Sequence, residues 1–438
     1  MSNLPYAIVA LLCQVLAPVP IGTKRGLFSL LWALLSGRFL ASRGAVFPAL
    51  SALGLVPEEV RRAEAALAYG SYRTSDLVSA WHKAVREAGH WRPHRYDGLH
   101  PVACDLVGFY RPHLVGCTTK HYTSQAGKAL PALVYGLCVE VGSVGTMRLG
   151  VPRLLLRQEA DETEARLQSR LVQEAASGLA EDESLIIVAG FSLSDLRSQE
   201  NLPYVIRMPQ NTTARRNTLP DYRGKGRPPE YGEIVRPLPR KHGMRVIQAT
   251  KPDATARWTE KGRTIKAHLY ENVVAADEKP GGKPYRLIVI YDPRYHKPLV
   301  LATNLNKTAY TIWCLYRDRW PVEQLPLAAK QMLGAERSFV FGKEARYRMP
   351  ELALLTGNIL SYIAATVPAV ATGFWDRCCR PTCGRLRRYL ERLIFSELPL
   401  PEEQLRKKAS ITDHLPKGVA GHRRRKADGC ASSMPVAA

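Results

Sequence analysis

The stretch "YRDRWPVEQLPLAAK", Tyr316–Lys330, sets two carboxylates, Asp318 and Glu323, among three cations and two prolines. Tyr316, Arg319, Glu323 and Lys330 are separated by 3, 4 and 7 residues. At about 100° per residue their directions fall within about 60°, one face of a continuous helix, with Asp318 on the far side. A plain amphipathic helix would place apolar groups on such a stripe. The prolines qualify the picture, because proline is tolerated in a helix's first turn but kinks or breaks its interior. A helix starting near Pro321 bends at Pro326; one starting near Pro326 leaves Glu323 just ahead of it. A carboxylate held between cations suits phosphodiester chemistry, the acid holding a divalent metal while Arg and Lys hold phosphates. An exposed ion-paired helix is the competing reading.

The whole chain supports an anionic partner. Its 438 residues suffice for two or three domains, and a hydrophobic share of 46% excludes wholesale disorder. Against 39 acidic residues stand 62 basic ones, a net charge of +23. Such a field attracts polyanions, nucleic acid first among them. The charge is concentrated: residues 207–268 hold 15 Lys/Arg and 5 Asp/Glu, and residues 377–426 hold 14 and 5. Nine cysteines without framework spacing point to a reducing compartment. Cys378, Cys379 and Cys383 suggest zinc only if a second Cys/His pair matches them, and none does. The opening "YAIVALLCQVLAPVP" has no basic leader and is too short to span a bilayer. The expectation is a soluble cytoplasmic protein with no membrane contact.

Residues 1–90 read as helical, with "GLFSLLWALLSGRFL" and "PEEVRRAEAALAYG" carrying apolar residues at helical spacing. From Val102 the period changes. "PVACDLVGFY", "ALVYGLCVEV" and "MRLGVPRLLL" read as strands, followed by a helix with an acidic first turn in "DETEARLQSRLVQEAASGL". "ESLIIVAGF" and "PYVIRMP" are further strands flanking a short helix, which gives a first core segment over 91–207. Residues 208–300, rich in Pro, Gly and Arg, read as an inserted β-rich module; 301–396 return to helix, and 397–438 form a basic, disordered tail. The order implies an α/β fold, a mixed sheet with flanking helices. Asp105 lies inside the first strand, where an unpaired buried carboxylate is costly. It caps a turn or projects into a metal site.

The four positions of the opening stretch match the Y-x2-R-x3-E-x6-K signature of a large family of bacterial insertion-sequence transposases, which the chain resembles over about residues 90–365. "ACDLVGFYRP" around Asp105, the β-rich segment and "LVLATNL" before the signature are similar to that family too. The resemblance implies a ribonuclease H-like core, a helical amino-terminal DNA-binding region, and a DDE triad of acids binding two Mg²⁺ (or Mn²⁺) ions. It implies Asp105 as the first metal ligand and Glu323 as the last, with Tyr316, Arg319 and Lys330 contacting DNA phosphates. It implies double-stranded DNA as partner, in the form of element ends and target, and a homodimer during synapsis. The second acid is where the chain departs. The family reads "D-A-G-F" after the fourth strand, and here the run is "VAGF" with Val188 in the acid's place. Asp195, seven residues on, is the nearest substitute; Asp182 and Glu183 precede the strand. Two functions follow, a DNA transposase or a catalytically inactive relative that binds DNA without cutting it. An RNA-binding protein of another kind lacks its glycine-aromatic signature.

Overall fold

The structure, a computed structural model, describes residues 4–405 other than 223, 225, 226 and 244. Most of the basic tail expected to be disordered, 406–438, lies outside the described residues. The chain opens with helices α1 (Leu4–Val15), α2 (Ile21–Leu35), α3 (Arg38–Ala41), α4 (Val46–Ser51), α5 (Pro57–Tyr69) and α6 (Thr74–Ala88). Strands β1 (Trp91–Pro93), β2 (His100–Tyr110), β3 (Lys120–Thr123), β4 (Lys128–Val144) and β5 (Met147–Arg157) follow. Next come α7 (Glu164–Ser177), β6 (Glu183–Ile187), α8 (Leu193–Ser198) and β7 (Tyr204–Met208).

The β-rich segment holds β8 (Ala214–Arg216), β9 (Ile234–Val235), β10 (Arg240–His242), β11 (Arg245–Ile247), β12 (Ala254–Glu260) and β13 (Arg263–Ala275). Strands β14 (Tyr285–Tyr291) and β15 (Leu299–Thr303) close it. Helices α9 (Ala309–Arg317), α10 (Pro321–Leu327), α11 (Ala345–Thr366), α12 (Cys383–Glu391) and α13 (Glu402–Leu405) complete the described chain.

Strand β2 is central because its residues are apolar toward both sides: Val102 and Cys104 on one face, Ala103, Val107 and Phe109 on the other. Helix α7 starts where the Thr163 side chain accepts the Arg166 N–H at 3.2 Å, with Glu164 in the first turn favoured by the helix dipole. Among the described residues thirteen strands form one sheet. Its first half runs β5-β4-β2-β6-β7; β4 is antiparallel to β2 and β5, while β6 and β7 run parallel to β2. Strands β15, β14 and β13 then extend the same sheet, each antiparallel to its neighbour, from β7 outward. The segment read from sequence as an inserted module is thus largely a continuation of the sheet. Among the described strands only β10 and β11 pair apart, as a two-stranded ribbon.

Helices cover both faces. On one, α7 and α8 pack Leu171, Val172 and Leu196 against Cys104, Cys138 and Ile187. On the other, the apolar residues of α1, α2, α5 and α6 share a single core with β4, β5, α10 and α11. Helix α11 is apolar nearly all round, from Met349 to Ala364, so it must be enclosed on every side. The amino-terminal helices supply part of that enclosure and are not a separate globule. Leu405 of α13, within the stretch read as tail, is buried in the same core. Among the described residues no helix is long and apolar enough to cross a membrane, and the cysteines are free thiols.

Candidate functional site

The opening stretch is not one continuous helix. Helix α9 ends at Arg317; the Arg319, Val322 and Glu323 N–H groups bond three residues back, to Tyr316, Arg319 and Trp320. Helix α10 begins at Pro321, in the first turn where proline is tolerated. Pro326 falls inside α10, where it can donate no backbone bond, and the chain widens directly afterwards into a π-turn, Ala328–Met332. Tyr316, Arg319, Glu323 and Lys330 therefore sit on four successive local structures, not along one helical stripe.

Close packing holds this segment on the sheet. A Cβ on Gly150 of β5 would come within 3.1 Å of Pro321 Cβ, and one on Gly357 of α11 within 3.1 Å of Ala328 Cβ. Both glycines let backbone approach backbone where α10 and the π-turn dock. Asn358 of α11 donates to Gly150 O at 2.6 Å and accepts from Trp81 Nε1 at 2.7 Å, tying α11 to β5 and α6.

The structure brings Asp105 and Glu323 together. Asp105 pairs across β2–β4 with Leu137, on the face that α10 covers. Burial pushes its pKa up to about 6; the Leu106 N–H, 2.8 Å from Oδ1, draws it back, and the Glu323 carboxylate adds to the rise. Glu323 is ion-paired with Arg319, whose guanidinium lies 4.9 Å from the Tyr316 ring centre. His121 of β3 belongs to the same neighbourhood. Its ring lies beside Gly108, its charge lowers the Asp105 pKa, and its Nδ1 is 3.0 Å from Glu164. A lone histidine in a short strand carries no signal in the sequence, and only the β3–β4 pairing brings it here.

Lys330 lies along β2. Its Nζ donates to Gly108 O at 2.7 Å and sits 5.3 Å from the Phe109 ring, and burial lowers its pKa. The far-side placement of Asp318 assumed one continuous helix, which the stretch is not; its carboxylate lies inside the protein with partners other than those of Glu323. It is buried against His94 Nδ1 at 2.6 Å and Arg148 Nε at 3.5 Å.

The remaining sequence candidates lie apart. Cys104 of β2 pairs with Ile187 of β6, so Asp105 and Val188 are the next residues along neighbouring strands. Val188 is half-buried against the apolar layer under α7 and α8. Asp195 accepts from Ser169 Oγ of α7 at 2.7 Å, on the sheet face opposite α10. Two divalent cations about 3.5–4 Å apart need oxygen ligands from more than one side. The site offers two carboxylates, one of them ion-paired, and the residue at the end of β6, in line with Asp105, is Val188. Among the described residues no group of three or more His, Cys, Asp or Glu side chains is placed to hold a metal ion. This donor set falls short of a two-metal centre.

Beside Tyr316 and Arg319 opens a cleft of about 740 Å³, lined by the cations Arg207, Arg294, Lys297 and Arg319 and the rings of Tyr295 and Trp320. Trp320 is half exposed there. Compared with known proteins, no family model matches this chain, and no curated protein matches it.

Proposed function

We propose that the protein is a DNA-binding relative of the DDE insertion-sequence transposases, engaging duplex DNA beside Asp105 and Glu323 and cutting it weakly or not at all. The observation that carries this reading is the meeting of Asp105, from β2, with Glu323 and Arg319, from far along the chain. The strand order β5-β4-β2-β6-β7, with β6 and β7 parallel to β2, supports a ribonuclease H-like core for that meeting. The cleft next to Arg319 joins the cations Arg207 and Lys297 to exposed rings, a lining that suits a nucleic-acid backbone and its bases, while Arg294 and Arg319 are paired with Asp292 and Glu323. Net positive charge supports binding, and Val188 in the place of the triad's second acid supports weak or absent cleavage.

Incubating the full chain with supercoiled plasmid and Mg²⁺ or Mn²⁺ tests the reading, with duplex binding measured in parallel. The expected result is binding that weakens steeply between about 50 and 200 mM salt, with little nicking. Efficient cleavage by the unaltered protein would make it a competent transposase instead. Salt-insensitive binding, or none, would remove the DNA reading altogether.

A further inference from the structure

The sheet extension carries a second charged surface, away from the acids. Strands β12 and β13 pair so that Arg257 lies opposite Lys266, and Lys266 lies opposite Tyr291 of β14. Directly opposed residues share a face, so the three form a row across three strands. Arg257 and Lys266 are exposed and Tyr291 is half-buried. The next pair along, Thr259 and Thr264, is exposed on the same face, and the His268 ring lies 4.9 Å from that of Tyr291. Alternate residues, Trp258 and Ile265 among them, point the other way, into the core under α9.

Like charges placed directly opposite destabilise a strand pair. Neighbouring arginines of this region are neutralised: Arg216 by Asp253 and Arg286 by Glu271, each at 2.6 Å. Among the described residues Arg257 and Lys266 make no ion pair or hydrogen bond. Two adjacent, unneutralised cations flanked by hydroxyl donors and a ring are arranged for an extended anion. Phosphates are contacted by Arg, Lys, Thr and Tyr side chains of this kind, without reading of base sequence.

We propose that the Arg257–Lys266–Tyr291 row is a second DNA-contacting surface, gripping duplex phosphates on the sheet face opposite Asp105 and Glu323. The inference rests on the DNA-binding reading above and assigns it a second place of contact.

The test uses the full chain and fluorescence anisotropy with two unrelated duplexes across a salt series. Arg257→Ala/Lys266→Ala should weaken binding equally for both duplexes and reduce the log–log salt slope by about 1.8, about 0.9 for each phosphate that is no longer neutralised. The charge-keeping exchange Arg257→Lys/Lys266→Arg should retain both affinity and slope. Lys266→Glu converts the repulsive pair into an ion pair, so it should raise the melting temperature and still weaken binding. Wild-type binding with an unchanged slope in the double alanine variant would overturn the second surface and leave the Asp105–Glu323 reading standing. Failure of the wild type to bind any duplex would overturn both. Retention of duplex binding by that variant, with loss of binding to single-stranded RNA or anionic vesicles, would give the row to that partner and overturn the assignment.

Discussion

His94 Nδ1 and Asp318 Oδ2 lie 2.6 Å apart, and through that pair the turn bearing Arg319 is fastened beside β1. Arg148 of β5 approaches the other carboxylate oxygen at 3.5 Å, and burial together with Asp318 raises the Tyr96 pKa. Asp318→Ala would leave His94 and Arg148 facing a buried void. Removing one partner of a buried ion pair costs about 3–5 kcal/mol; the partial exposure of Arg148 puts the expected loss near the lower figure. Urea unfolding measures it. A loss below about 1 kcal/mol would show that the turn is held by α9 and α10 alone.

Val188→Asp places a carboxylate next in line to Asp105, at the end of β6. Metal-dependent plasmid nicking should rise above the wild-type level, and adding Asp105→Asn or Glu323→Gln should abolish the gain. Because Val188 is half-buried, the substitution should also cost about 1–3 kcal/mol of stability. Nicking by the unaltered protein that disappears with Asp195→Asn would instead make Asp195 the working acid.

Asp105 contributes to stability in an unusual direction. Its folded pKa, pushed up to about 6 by burial and Glu323, lies above the ordinary 3.8, so the folded state holds the proton more tightly. Stability therefore falls as pH rises from about 4 to about 6, and stays reduced above that. Asp105→Asn removes the penalty: it should stabilise the protein by about 2–3 kcal/mol at pH 7 and by little at pH 3. Denaturant titrations at the two pH values decide the matter.

Glu140 works in the opposite sense. Burial alone would raise it, but the hydrogen bond with His82 and the Arg153 guanidinium outweigh burial and hold its pKa down at about 2. Its contribution is fully present above pH 4.5, the ordinary value, and is lost as pH falls toward 2. In Glu140→Gln, melting temperature should depend less on pH across that acid window, and the protein should be less stable at neutral pH. An unchanged acid limb would discount the pairing.

Asn358→Ala would strip the partners from Trp81 Nε1 and Gly150 O at once. Leaving buried polar groups unpaired costs about 1–3 kcal/mol each, so the melting temperature should drop by several degrees. Asn358→Asp should fare no better, because a carboxylate cannot donate to the Gly150 carbonyl.

Local patterns carried much of this architecture. The two-sided apolar run of β2 and the acidic start of α7 could be read from composition and spacing, whereas the start of α10 at Pro321 was one of two that the prolines left open. Glu323 could be read too, because cations four residues before it and seven after it gave its position chemical meaning. Long-range pairing could not be read. Nothing local tells β15 to join β7, which turns an apparent insertion into sheet. The same limit hid His121, which reaches Asp105 only through the β3–β4 ladder, and the burial of Asp318 by His94 and Arg148. Lys330 shows a further limit, since no spacing rule reveals that its ammonium is occupied by a backbone carbonyl.

The enclosure of α11 also governs the order in which the chain can fold. Helices α1, α2, α5 and α6 leave the ribosome first, yet the helix that completes their core is synthesised only after every strand of the sheet. Until Met349–Ala364 emerges, apolar side chains such as Phe28, Trp32 and Trp81 lack their final neighbours. The amino-terminal helices must wait half-finished during translation, a state that invites aggregation and chaperone capture. A truncated transcript ending before α11 therefore yields a sticky, incomplete product, not a small stable helical domain.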